Sequence, residues 1–204
     1  MKHLRQYIRQ VILQEGMNRP EQLPEGMVVV IKQEYGGIDV YYAKLQPDGT
    51  ARKVPAAYES ADIIWGSVSL YPTEDMGYGP CSGAAKVGVA EAADGWGPLL
   101  YDVALEQATA AWGGLIPDRR SVSSDARRVW DYYMIKRDDV DHFQLDDLYD
   151  RLTPDPDDNC DQEVAQDDMG AYDWVESPLS KMYVKNNTEM TDKLNALGKL
   201  FEIG

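Results

Sequence analysis

Between residues 85 and 136 the chain passes from a β-rich run into a helix, back to a short apolar run, and into a second helix. Ala85 to Ala92 reads as a strand. Asp94-Gly95-Trp96-Gly97-Pro98 follows as a turn, with Pro98 suited to a first helical turn. Leu99 to Trp112 then carries Leu100, Val103, Ala104, Gln107, Ala108 and Ala111 at helical spacing. Gly113-Gly114 ends that helix, and Leu115-Ile116 is a short strand stopped at Pro117. Ser123 or Ser124 caps a further helix to about Lys136, with Ala126, Val129, Trp130 and Tyr133 turned inward. Strand, glycine turn, helix, strand and helix in this order form a crossover unit, which implies a parallel pair inside a mixed sheet.

The flanks add elements to that sheet. Leu4, Tyr7, Ile8, Val11 and Ile12 make residues 2 to 15 an amphipathic helix stopped at Gly16, to be docked on the protein's own core or on a partner. Met27 to Glu34 and Ile38 to Leu45 form a hairpin around Gly36-Gly37, and Ile63 to Tyr71 is a further strand. Beyond Asp139 the reading is a short helix over Phe143 to Leu152, a loop around Asp155 to Asp168, a returning strand over Leu179 to Lys185 and a closing helix over Thr191 to Leu200. The expected fold class is α/β (α+β), a mixed sheet flanked by helices, within one compact domain. Its parts are an N-terminal helix and connector (1–20), a core (21–137) and an acidic extension (138–204).

Composition limits the chemistry. Among 204 residues, 44% are hydrophobic, with five Trp and thirteen Tyr, enough apolar surface for a core. Apolar runs such as Met27 to Ile31 fall far short of the roughly 20 residues a spanning helix needs, and no signal-peptide pattern opens the chain. A soluble, intracellular protein is expected. Two cysteines and two histidines do not by themselves build a Cys/His zinc site or a disulfide framework. The net charge of -15 is local: residues 138 to 176 hold fifteen acidic residues against Arg151 alone, while the remainder is near neutral. Direct nucleic-acid binding through that stretch is not expected.

Two further motifs have bland readings. Gly79-Pro80-Cys81-Ser82-Gly83 has the shape of a nucleophile elbow with His142 as the base, but it leads into a strand where an elbow needs a helix. Cys81 reads better as a buried small residue near Cys160. Asp155, Asp157, Asp158, Asn159, Asp161 and Glu163 offer oxygen ligands, but Cys160 stands at the position where a calcium loop needs glycine. No metal is expected.

The turn after the Ala85 to Ala92 strand presents backbone N–H groups and the positive end of a helix dipole, an arrangement suited to a pyrophosphate. Gly95-x-Gly97, followed by Ser123-x-x-Ala126, resembles the GNAT superfamily of acetyl-CoA-dependent N-acyltransferases over about residues 60 to 136. The family's leading Arg/Gln falls on Ala92, and its frequent general-acid Tyr falls on Trp130. More narrowly, Gly79-Pro80-Cys81, Gly95 to Ala104, Pro117-Asp118-Arg119, Val129-Trp130 with Tyr133, and Asp157-Asp158 with Cys160 are similar to a set of phage-encoded GNAT-like proteins.

The resemblance implies acetyl-CoA or coenzyme A as cofactor, held by Ala93, Asp94, Gly95, Trp96, Gly97, Leu99, Arg119 and Ser123. It implies an amine acceptor, Glu91 as general base, a neighbouring backbone N–H as oxyanion donor, and Tyr133 or Tyr132 as acid. Arg119, Arg120, Arg127 and Arg128 are placed to reach the 3'-phosphate of coenzyme A or to pair with the acidic stretch. Two other readings stay open: a non-catalytic protein using the same fold to bind a basic partner or to serve in a virion, and an acidic nucleic-acid mimic. The expected location is the cytoplasm of an infected host, or the virion.

Overall fold

A computed structural model describes residues 17–56, 63–73, 81, 83–118, 121–147, 160–162 and 176–203. The amphipathic run over 2–15, Arg119, Arg120 and most of the acidic stretch lie outside these residues. Ten strands join in one sheet: β1 (Met27–Glu34), β2 (Gly37–Leu45), β3 (Ala51–Lys53), β4 (Gly66–Pro72), β5 (Ala85–Ala92), β6 (Leu115–Ile116), β7 (Asp141–Asp147), β8 (Cys160–Gln162), β9 (Lys181–Val184) and β10 (Leu200–Ile203). Three helices are described, α1 (Gly97–Trp112), α2 (Ser124–Lys136) and α3 (Glu189–Ala196).

Strand order is β10-β1-β2-β4-β5-β6-β9-β7-β8, with β3 also on β2. The pairs β1/β10, β5/β6 and β7/β8 are parallel, and the others are antiparallel. The fold is therefore a mixed sheet flanked by helices. The β1–β2 hairpin turns on Tyr35 and Gly36, both at positive φ (50° and 79°), the two-residue turn that matches strand twist. Along β1 the side chains alternate between two buried faces. Val29 and Ile31 join the main core, whereas Val28 and Val30 cluster with Tyr41 and Ala43 on the opposite face.

Helix α1 lies at the centre. Leu99 to Glu106 are all buried, because the helix packs on β2, β4 and β5 and meets α3 as well. It ends where Gly113 takes the left-handed conformation at φ 79°. Trp130 of α2 packs on α1 through Tyr101 and stacks on Tyr183 of β9, with ring centroids 4.9 Å apart. Asp102 and Glu106, four residues apart on α1, anchor a buried ionic network. Arg137 holds Asp102 through both carboxylate oxygens (2.8 and 3.0 Å), and Lys185 meets Glu106 at 2.6 Å.

The C-terminal part departs from expectation in three places. Phe143 to Asp147 belongs to a strand instead of a helix: Phe143 and Leu145 alternate onto the apolar face with Met182, while Gln144 pairs with Lys181. The closing helix runs over Glu189–Ala196, and residues 200–203 form β10, which adds in parallel to β1. Two strands from residues 138–204, β8 and β10, form the two ends of the sheet. Cys81 is buried as expected but is disulfide-bonded, and Cys160 is the chain's one other cysteine. That state leaves no thiolate for the Cys81/His142 reading.

Candidate functional site

Parallel strands β5 and β6 pair only at Ala85–Leu115 and Lys86–Ile116. Pro117 has no N–H to continue the ladder, so β6 stops while β5 runs on to Ala92. The two strands part there. Ligands of open α/β sheets bind beyond the carboxyl ends of parallel strands, and a cleft of about 690 Å³ lies at this place, within the usual size range of small-molecule sites.

Two helix N-termini meet in it. α1 begins at Gly97 with no side-chain cap from Trp96. α2 begins after Ser123, whose Oγ accepts from the Ala126 N–H at 3.2 Å. Gly95 carries φ 77°, which turns the chain from β5 into α1, and its carbonyl accepts from the Asn18 N–H at 3.1 Å. A Cβ built on Gly97 would lie 3.8 Å from the Ala92 methyl, an ordinary contact, so the turn is open toward the cleft.

A bulge shapes the β5 wall. Ser69 and Leu70 of β4 face Val89 and Val87, which leaves Gly88 as the extra residue. The side-chain alternation shifts there by one position. Ala90 is consequently paired with buried Val68 and shares its face, while Glu91, opposite Ser67, stays exposed at the edge of the cleft. Tyr71 lies across Gly88, where a Cβ would come within 2.6 Å of its ring.

Of the residues expected at the site, Glu91, Ala93, Asp94, Gly95, Gly97 and Ser123 are brought together in the cleft wall. Trp96 and Leu99 are not. Trp96 packs its ring edge-on against Tyr42 at 5.8 Å, and its carbonyl accepts from the Tyr42 hydroxyl at 2.8 Å. Leu99 is core. Tyr133 is buried away from the cleft and donates to Asp102 at 3.0 Å; burial, with Asp102 adding its charge, drives this hydroxyl far above the usual range. Tyr132 is half-buried against the Arg137 guanidinium. Neither tyrosine lines the cleft.

Residues not anticipated for the cleft include Trp65 and Val68 from the β4 side, Tyr101 from α1, and Val129 from α2. Tyr101 was within reach of sequence reasoning, since it stands four positions after Gly97 and so on the same helical face. Arg128 is at the rim, paired with Asp125 at 2.8 Å, both side chains largely exposed. Among the described residues no group of three or more His, Cys, Asp or Glu side chains is placed to hold a metal ion, and no helix is long and apolar enough to cross a membrane. No protein-family model, curated protein or solved structure matches the chain.

Proposed function

We propose that the cleft binds an acyl-coenzyme A and that the protein transfers the acyl group to an amine. The observation that carries this reading is the convergence of the α1 and α2 N-termini on the gap between β5 and β6, with Gly95, Gly97 and Ser123 lining it. Backbone N–H groups and two dipole ends favour an anionic pyrophosphate. The cradle fits the group, because Gly97 projects no side chain into it and Arg128 stands at the rim to meet a phosphate. The coenzyme supplies an activated acyl thioester. On the protein side, Glu91 takes the proton from the acceptor amine, directly or through water, and a backbone N–H beside Glu91 on β5 meets the developing oxyanion. The parallel β5/β6 pair, joined through α1 inside a mixed sheet, supports this reading, and such chemistry belongs in a cytoplasm where coenzyme A is present.

A second reading has its own support. Glu91 and Asp94 have no ion-pair partner among the described residues, and both repel an anionic ligand. They favour a basic protein partner on a non-catalytic module. Calorimetric titration with acetyl-CoA separates the two: saturable binding supports the transferase, and silence at millimolar ligand supports the binding module.

A further inference from the structure

Tyr101 stands in the cleft wall with a hydroxyl that has no acceptor among the described residues. It lies one turn into α1 from Gly97, about 6 Å deeper along the helix axis, and is 5% exposed. Trp130 holds its ring edge-on, with centroids 5.4 Å apart and planes at 81°. The other buried tyrosines on this side of the sheet satisfy their hydroxyls within the protein: Tyr42 donates to Trp96 O, Tyr133 to Asp102 and Tyr183 to Pro178 O. Tyr101 alone of these four has no acceptor among the described residues.

A buried donor without an acceptor costs free energy, so such a group is informative when it borders a cavity. Burial first, and the nearby charge of Asp118 second, drive this hydroxyl far above the usual tyrosine range. It stays protonated at any working pH. It therefore offers a hydrogen bond and does not deliver a proton.

We propose that Tyr101 donates this hydrogen bond to the carbonyl oxygen of the bound acyl thioester. The inference rests on the acyl-CoA reading and adds a second donor to the backbone N–H on β5. The order of the cleft places it there: the phosphates meet the helix N-termini, and the arm reaching inward passes Tyr101. The amine's lone pair forms the N–C bond while the carbonyl π pair moves onto oxygen, where Tyr101 meets the charge. When the carbonyl re-forms, the C–S pair leaves on sulfur. The nitrogen's proton passes through Glu91 and water to that thiolate, and Tyr101 keeps its own.

The test is calorimetry of wild type and Tyr101→Phe with three probes: acetyl-CoA, coenzyme A and 3',5'-ADP. Loss of one neutral hydrogen bond predicts that Tyr101→Phe weakens acetyl-CoA about two- to tenfold. Coenzyme A lacks the carbonyl, and 3',5'-ADP lacks the whole arm; both should bind the variant and wild type equally. The ligand-free variant should melt at or above the wild-type temperature, since it removes an unpartnered polar atom. Unchanged acetyl-CoA affinity, or an equal loss with all three probes, overturns the assignment of Tyr101. Failure of wild type to bind any of the three overturns the acyl-CoA reading itself, and this proposal with it.

Discussion

Glu106 and Lys185 form an ion pair at 2.6 Å with side chains 0% and 1% exposed. The carboxylate has more to do than the ammonium. Glu106 also accepts from the backbone N–H groups of Met190 and Thr191, both at 2.9 Å, and from the Thr191 hydroxyl, so a side chain of α1 caps the N-terminus of α3. Among the described residues Lys185 has only Asp139, at 3.9 Å, as a second carboxylate. Breaking a buried pair by removing one partner costs about 3 to 5 kcal/mol. Glu106→Ala should fall at the upper end, because it strands a buried ammonium and two helix N–H groups. Lys185→Met should cost less, since three donors remain on Glu106. Urea unfolding measures both, and a larger loss for Lys185→Met would contradict the capping role.

Arg137 grips Asp139 through two hydrogen bonds, at 2.6 and 2.8 Å, and holds its carboxyl at about 2. For a depressed carboxyl the stabilisation is present above the unfolded value, near 4, and is lost as pH falls from there toward about 2. Asp102 runs the other way. Its burial outweighs Arg137 and raises its carboxyl, so its contribution declines as pH rises through the raised value. Because Asp139 is 31% exposed, screening leaves about 1 to 2 kcal/mol from its shift. Melting temperatures of Asp139→Asn should show a flatter acid limb between pH 4 and 2 than wild type; an unchanged limb would assign that limb to other carboxylates.

The legible parts of the fold were those whose signal is local. Positive-φ glycine chemistry marked the hairpin at Gly36, glycine and proline punctuation marked both ends of α1 and the stop of β6, and Ser123 marked the start of α2. The missed parts depend on distant partners. β10 is four residues whose strand character comes from pairing with Val29 to Lys32, some 170 positions earlier. Over Phe143 to Leu152 the sequence predicts a short helix, whereas the constraint on β7 is its antiparallel register with Lys181 to Val184, which local sequence does not carry.

The same division holds in the cleft. Turn residues 93 to 95 and 97 could be placed because a strand-to-helix junction exposes its own backbone, whereas Trp96 turns into the core against Tyr42. Tyr133 could not: its apolar spacing on α2 is real, but the spacing does not reveal that Asp102 waits on α1 to take the hydroxyl.

Cys81 supplies a third prediction. A disulfide to Cys160 would close a loop of about 80 residues, for which the chain-entropy model gives roughly 4 kcal/mol. Reductant should lower the melting temperature by several degrees, and Cys81→Ala should reproduce that loss and abolish the response to reductant. Mass spectrometry of an unreduced digest should find the two cysteine peptides joined. Free thiols in protein prepared under oxidising conditions would return Cys81 to the role of a small buried residue.

The two glycines of the cleft turn should separate backbone geometry from ligand access. Gly95 takes φ 77°, and a side chain there strains the turn by about 1 to 2 kcal/mol whatever binds nearby. Gly97 has an ordinary conformation and room for one methyl, with the Ala92 methyl 3.8 Å away, so Gly97→Ala should fold like wild type and bind acetyl-CoA within a few-fold. Gly97→Val places two further carbons at the first turn of α1, where the phosphates are expected. On helix propensity it should leave stability unchanged or slightly raised, since valine is a better helix former than glycine, yet it should abolish detectable binding. Thermal melts report the first effect and calorimetry the second. If Gly97→Val binds acetyl-CoA as wild type does, the α1 N-terminus is not the phosphate site, and the cleft must be read from its carboxylates instead.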